Sequence, residues 1–427
     1  MTDRMTRPAI FAGAPVAGAS LSRRSVLGGM ASTGALVGTA GTSARARTVA
    51  GWDYVVVGAG AFGTWTAWHL QRRGLRVLLL DAWGVAHSRS SSGGETRLIR
   101  TEYAGNALYT RWAWESLAAW HELSRRHESP IFHETGALYI YPQDTAAIDQ
   151  SMALQRGLGI PVEKLSVPHM ASRWPRINFD GIAVGVMQPT MGTIMARRSL
   201  QTLAADFVKA GGGFRQFAVD PPRSAKARLE AVTAADGEKL SAKGFVFACG
   251  PWLPRIFPDV VGDRIVPSRQ DVFFFAPPAG DDRFGSARMP AWVDVSSKDL
   301  HYGFTEIEAS GFKIALDAHG PRFDPDTGDR RVGDRAIAEV RAYLAHRFPD
   351  LANAPLAETR VCQYENSHNG HLLIDRHPAW SNVWIAGGGS GHGFKHGPAV
   401  GRYVSDLVLG TGESVPELAL AAHKVHG

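Results

Sequence analysis

Residues 53–81 read DYVVVGAGAFGTWTAWHLQRRGLRVLLLD, and no other stretch constrains the fold as much. An apolar strand runs into a glycine turn, a helix follows, and a second apolar strand ends on an acid. That order predicts a βαβ unit carrying a glycine fingerprint. Gly58 lets the chain turn sharply out of the first strand, Gly60 lets backbone approach a pyrophosphate at the helix N-terminus, and Gly63 lets helix and strand pack closely. Asp81 ends the second strand, where a carboxylate can accept from a ribose hydroxyl. Together these offsets predict dinucleotide binding on an α/β domain. They leave the dinucleotide open, and nicotinamide and flavin enzymes do different chemistry.

About fifty residues precede the fingerprint. They hold Ser22-Arg23-Arg24-Ser25-Val26-Leu27, a weakly apolar Gly/Ala/Thr-rich run to Gly41, and the small-x-small site Ser43-Ala44-Arg45-Ala46. This layout predicts a twin-arginine export signal over residues 1–46, hence a periplasmic or extracellular protein. The run is too short and too glycine-rich for a membrane span. The leader holds five arginines against Asp3, so its removal leaves 41 basic and 39 acidic residues and takes the formal charge from +6 to +2. The basic balance therefore makes no case for nucleic acid. Two cysteines, Cys249 and Cys362, exclude a disulfide scaffold and a cysteine-rich zinc site.

Helical spacing predicts helices over 60–73, 109–127, 199–210 and 334–348, and from Pro398 to Leu409. In the second, Trp112, Leu117, Trp120 and Leu123 read as core. Alternation or short apolar runs predict strands at 131–141, 214–219, 245–248, 270–275, 300–305, 311–316 and 383–386, and Asp236-Gly237 predicts a hairpin turn between 229–232 and 240–248. Dinucleotide-type segments at 51–130 and 195–264 are thus interrupted by strand-rich insertions, with a final return to strand, glycine loop and helix at 369–427. We expect a discontinuous Rossmann-like domain built from those three segments. Segments 131–194 and 265–368 are expected to form a substrate domain on an antiparallel sheet, giving α+β character overall.

Four places carry candidate chemistry. The loop Gly387-Gly-Gly-Ser390-Gly391-His392-Gly393-Phe394-Lys395 precedes a helix start at Pro398, so it could receive a flat ligand and lend it positive charge; a phosphate site and a plain left-handed turn share that spacing. Thr96-Arg97-Leu98-Ile99-Arg100 places two arginines on one face if the segment is a helical turn. One could flank a ring while the other grips a carboxylate, or both could be solvated. Lys313 lies in the apolar strand Gly311-Phe-Lys-Ile-Ala-Leu316, costly if it points inward and ordinary if it points out. Cys362 is equally readable as a free thiol, a partner of Cys249 or a cofactor attachment. His371, His377, His392 and His396 lack metal-ligand spacing and read as hydrogen-bonding residues.

From about residue 51 onward the chain resembles the D-amino-acid-oxidase-type flavoproteins, in particular monomeric sarcosine oxidase and N-methyltryptophan oxidase. The segments that carry the resemblance are the fingerprint, G-E-T-R-L-I-R at 94–100, R-W-P at 173–175, D-P-D-T at 324–327, V-C-Q-Y at 361–364, L-I-D-R-H-P at 373–378, S-N-V-W-I-A at 381–386 and S-G-H-G-F-K at 390–395. The resemblance implies FAD, held by Gly58, Gly60, Gly63, Asp81, Thr96, Arg97, Val219, Gly391, Gly393 and Lys395, and attached covalently through Cys362. It implies that Arg97 lies against the flavin and that Arg100 and Lys395 hold the substrate carboxylate. It further implies that Lys313 activates molecular oxygen and that Tyr302 and Tyr364 line the substrate cavity. The activity implied is oxidation of a secondary amino acid to an imine, with hydrogen peroxide as second product, by a monomer. A flavin dehydrogenase with another acceptor and a non-catalytic binding protein of the same fold are the alternatives. The chain departs from the family pattern at Ser91-Ser92-Gly93-Gly94 and at Asp317, each in place of a usual histidine. Both departures are expected near the substrate.

Overall fold

The computed structural model describes residues 51–297 and 300–424. The export-signal segment 1–46 lies outside these residues. The described residues fall in one compact unit, built around two large sheets. The first runs in the spatial order Leu373–Arg376, Val383–Gly387, Lys239–Phe247, Trp52–Val57, Val77–Asp81 and Gly213–Gln216. All neighbours are parallel except the Leu373–Arg376 edge. The short strand Ala231–Thr233 pairs antiparallel with Lys239–Phe247 across the Gly237 turn. Val55, Val57, Leu78, Leu80, Phe245 and Phe247 pack on one face of the sheet, and Val56, Leu79 and Val246 on the other. The central strands are buried on both faces, as near-continuous apolar runs require.

Helix Ala61–Arg72 covers the second face together with Ala107–Arg125, Ala196–Lys209 and Gly397–Leu409. The first and last of these helices meet closely because Gly397 and Gly401 carry no Cβ. One added at Gly401 would lie 2.5 Å from the Trp65 backbone. Trp112, Leu117, Trp120 and Leu123 are core, as their spacing predicts.

The second sheet has eight strands, in the order Leu356–Ser367, Ile265–Phe275, Phe312–Leu316, His301–Phe304, Ala291–Asp294, Ala137–Tyr141, Val184–Gln188 and Glu163–Ser166. It is antiparallel apart from the Ala291–Asp294/Ala137–Tyr141 pair. A small three-stranded sheet joins Thr96–Ile99, Gly192–Met195 and Phe132–His133.

Two sequence expectations change. The predicted strand 131–141 is two strands in different sheets, because Gly136 turns the chain at φ +75°. The arginine segment is not a helical turn: Thr96–Ile99 is a strand paired with Gly192–Met195. Ladder hydrogen bonds to a neighbouring strand here override the local spacing.

Candidate functional site

The fingerprint forms one end of a cavity of about 330 Å³. Gly58 sits at φ +102°, and a Cβ there would meet the Ala248 carbonyl oxygen at 2.3 Å. Gly63 packs directly on the Gly58 carbonyl. Gly60 differs. A Cβ on it would meet only Ser92 Oγ, at 3.5 Å, so the protein itself leaves room, and the space Gly60 keeps open belongs to the cavity. Asp81 Oδ2 accepts from the Ala59 N–H at 2.8 Å, and Oδ1 accepts from Trp83 and Gly84. The carboxylate thereby ties two walls together at the cavity edge. Val219, Ser91, Ser92, Gly391 and Gly393 also line this space.

The residues present fit a dinucleotide. The first turn of helix Ala61–Arg72 carries no acid, so its positive end is available to a pyrophosphate. Among the described residues, two buried polar atoms facing the cavity, Ser91 Oγ and Glu365 Oε2, have no hydrogen-bond partner. Buried polar atoms are ordinarily satisfied, so these two mark where a polar ligand would bond. Burial pushes the Glu365 carboxyl up to about 7.

A second cavity of about 330 Å³ adjoins the first, and Arg97, Tyr364, Gly391 and Phe394 border both. Its floor is one face of the eight-stranded sheet. Alternate residues Tyr139 and Tyr141, Val293 and Val295, Tyr302 and Phe304, Lys313 and Asp317, Gln270 and Val272, and Cys362 and Tyr364 all look into it. That is the period-two display of a strand. Its roof is the arginine segment and the glycine loop.

Arg97 is cradled by the loop before it. Its guanidinium donates to the Ser91 and Thr96 carbonyls and lies 3.6 Å from Cys362 Sγ. Arg100, just past the strand end, stacks on the Tyr103 ring at 4.2 Å and donates to the Glu102 carbonyl. Burial opposes its charge, but Tyr139, Tyr103, Asp317 and Glu102 outweigh that and hold it above the ordinary range. Lys395, in the turn Phe394–His396, donates to the His392 carbonyl at 2.8 Å and to Tyr103 Oη at 3.1 Å. Burial, then the neighbouring Arg100, lower its pKa well below the usual lysine range. Both cations thus direct their hydrogen bonds to neutral oxygens. Lys313 points inward. It donates to Thr96 O and Oγ1 at 3.0 and 3.1 Å, faces the Phe304 ring at 4.4 Å, and is lowered by burial and then by Arg97.

The tyrosines form a short chain. Tyr364 donates to Asp317 Oδ1 at 2.9 Å, and the hydroxyls of Tyr302 and Tyr364 lie 3.4 Å apart. Burial pushes Tyr302 up to about 12, so the phenols act as neutral donors. The Asp317 carboxyl is raised by burial, against Tyr364, Arg100 and Lys395, which pull it down.

Most of the residues singled out in the sequence converge here. Thr96 does so indirectly: it is buried and touches Lys313 rather than the cofactor cavity. Cys249 and Cys362 are both free and line different cavities, which removes the disulfide reading. Of the two departures, only Asp317 lines the second cavity. Ser91 and Ser92 line the cofactor cavity, because the loop folds back over the first helix and Ser92 Oγ accepts from Ala61 N–H at 3.2 Å. Sequence reasoning missed Tyr103, whose hydroxyl meets Lys395 and His396, and Trp120, whose indole donates to the Lys395 carbonyl at 2.9 Å. Apolar spacing marked Trp120 as core and could not show its polar edge. His371, His392 and His396 are hydrogen-bonded to Tyr109, Gly370 and Tyr103. Burial and the Lys395 charge hold His392 down to about 3, which keeps it neutral.

A family model described as FAD dependent oxidoreductase, DAO, matches residues 53–407. The monomeric sarcosine oxidase of Bacillus sp. (strain NS-129) is 28% identical over 373 residues, covering 86% of this chain and 95% of that protein. The N-methyl-L-tryptophan oxidase of Salmonella heidelberg (strain SL476) is 27% identical over 368 residues, covering 84% and 95%. Among solved structures, the L-proline dehydrogenase of P. horikoshii superposes with a TM-score of 0.76 at 19% identity, covering 86% of this chain and 95% of that one. The fructosyl peptide oxidase of E. terrenum gives 0.75 at 21%, covering 86% and 92%. At these identities the structural likenesses speak for the fold alone.

Proposed function

Because the chain belongs to the DAO family of FAD-dependent oxidoreductases, we propose that it oxidises a secondary amino acid, N-methyl or otherwise N-substituted, at the C–N bond. The observation that carries this reading is the pair Arg100 and Lys395. Two cations, the half-buried Arg100 and the buried Lys395, donate among the described residues to neutral oxygens and face a cavity that opens onto the cofactor cavity. Cations so placed lack a partner that a carboxylate can be, and a bound carboxylate would restore the charge that burial suppresses on Lys395.

FAD would lie along the first cavity, with Gly58, Gly60 and Asp81 at its adenine half and Arg97, Gly391 and Gly393 at its ring. Bound there, it supplies the two-electron acceptor for the C–H bond beside the amine nitrogen. The protein contributes position and charge. Arg100 and Lys395 fix the substrate carboxylate, Tyr302 and Tyr364 shape the space around the amine, and His392 stays neutral beside them. Lys313 opens onto the same cavity, and in this reading its positive charge would favour reduction of molecular oxygen there, so that hydrogen peroxide is released in addition to the imine. Cys362, beside Arg97, is the proposed point of covalent attachment. The leader over 1–46 is proposed to export the folded protein, and retention of an Arg23→Lys/Arg24→Lys variant in the cytoplasmic fraction would support that.

The test of the activity is a peroxide-coupled screen over N-methyl, cyclic and glycated amino acids. Turnover excludes a non-catalytic binding protein. Stopped-flow reoxidation in air no faster than that of free flavin would sink the oxidase reading in favour of a dehydrogenase. Acid precipitation tests the linkage. A colourless pellet from a yellow preparation refutes covalent attachment, and a Cys362→Ala variant that keeps a yellow pellet refutes the position.

A further inference from the structure

Six charged side chains line the substrate cavity. Four are basic, Arg97, Arg100, Lys313 and Lys395, and two are acidic, Glu102 and Asp317. The two acids are not equivalent. Glu102 is fully engaged by protein: Ser151 Oγ donates to both its oxygens at 2.8 and 2.9 Å, Gln155 Nε2 at 3.0 Å and the Ala104 N–H at 2.9 Å. Asp317 receives, among the described residues, one side-chain hydrogen bond, from Tyr364 to Oδ1. Its other oxygen keeps its acceptor capacity.

The sheet explains where Asp317 points. It follows the strand Phe312–Leu316, four residues after Lys313, and so lies on the same face. The register pairs Val272 with Ala315 and Gln270 with Cys362. Continuing it sets Asp317 opposite Gln270 and in one cross-strand row with Cys362, roughly 10 Å away over two strand spacings. Among the described residues, no nitrogen of Arg100 or Lys395 comes within 4.0 Å of a carboxylate oxygen of Asp317. The acid and the two cations thus face the same space without closing on each other.

An amino acid with a secondary amine enters such a site at neutral pH as a zwitterion. Four basic side chains attract its carboxylate and oppose its ammonium, and Asp317 supplies the opposing field. Resting on the reading that Arg100 and Lys395 take a carboxylate, we infer that Asp317 is the specificity-determining residue that reads the positive charge on the substrate nitrogen. The site then selects zwitterionic amino acids over carboxylate anions of the same shape that lack the positive nitrogen. Asn at this position would keep an acceptor for Tyr364 while losing the charge.

The test compares two isosteric probes on the FAD-loaded enzyme, read by perturbation of the visible flavin spectrum. Betaine, N,N,N-trimethylglycine, and 3,3-dimethylbutanoate share shape and carboxylate and differ by one positive charge. Neither has a nitrogen lone pair to drive oxidation. The wild type is expected to bind betaine about tenfold or more tighter, the size of one partly desolvated charge contact. Asp317→Asn should bring the two within about twofold, and Asp317→Glu should keep the preference, which separates charge from folding damage. Equal affinities in the wild type, or a preference that survives Asp317→Asn, overturn the role of Asp317 and leave the carboxylate site standing. Failure of both probes to bind the wild type at millimolar concentration overturns the carboxylate site, and this inference with it.

Discussion

The two faces of the eight-stranded sheet treat a buried cation in opposite ways. On the face turned from the cavity, Arg347 is 3% exposed and closes on Asp294 at 2.9 Å. Tyr343 donates to the same carboxylate at 2.8 Å, Ser296 N–H to its other oxygen at 2.9 Å, and the remaining guanidinium nitrogens reach Asn178, Asp180 and Ser296. Around this network Leu138, Phe273, Phe275, Trp292 and Phe312 pack against Val340, Leu344 and Phe348. On the cavity face, Lys313 is also 3% exposed, and Lys395 in the roof facing it is 5% exposed, yet among the described residues each donates to neutral oxygens. The closed pair belongs to the fold. The open cations cost the fold stability that a ligand would return, which marks the cavity face as the functional one.

The sharpest way to break this contrast is Arg347→Leu. It strands Asp294 in the core and should cost about 3–5 kcal/mol of stability, seen as a lowered midpoint in thermal or urea unfolding, with kcat/KM per folded molecule retained. Lys395→Met should do the reverse. The unfolding midpoint of ligand-free enzyme stays level or rises, while kcat/KM falls roughly 10- to 100-fold, about 1.5–3 kcal/mol for a lost hydrogen bond to a charged group. Lost stability in Lys395→Met with intact kinetics would dissolve the distinction. Glu365 offers a comparison within the cofactor cavity. Its carboxyl rises from 4.5 to about 7 on folding. The folded state therefore binds the extra proton, and the group's contribution is present below 4.5 and lost as pH rises through 7. Glu365→Gln should flatten the pH dependence of stability in that window by on the order of 3 kcal/mol, measured as the unfolding midpoint against pH. The smallest effect expected is Trp120→Phe. Loss of the bond to the Lys395 carbonyl should raise KM a few-fold, about 1 kcal/mol, with kcat little changed.

Much of the site was legible in the sequence because local rules governed it. The turn at Gly58 and the buried runs 55–57 and 245–247 follow from backbone sterics and apolar pattern. The period-two display of 313 and 317 follows from strand geometry. For Arg97 and Arg100, a three-residue spacing is ambiguous between a helical pair and a strand until a partner strand is known. Lys313 was ambiguous for a related reason: alternation assigns a residue to a face and does not say which face is covered. Tyr103, Trp120 and Glu365 gave no sequence sign of their roles, since each acts through a contact with a residue far along the chain.

The sequence by itself determined a dinucleotide-binding βαβ unit, a glycine loop before a late helix and, through resemblance, a flavin-dependent amino-acid chemistry. These rest on short-range patterns in which backbone conformation and side-chain type are coupled. Tertiary structure alone decided which charges are paired and which are open. Whether a buried cation meets a carboxylate depends on strands and loops up to three hundred residues apart coming within about 3 Å, and hydrogen-bond geometry is steep at that distance. It closed Arg347 on Asp294, and left Arg100, Lys395 and Asp317 facing one cavity without touching.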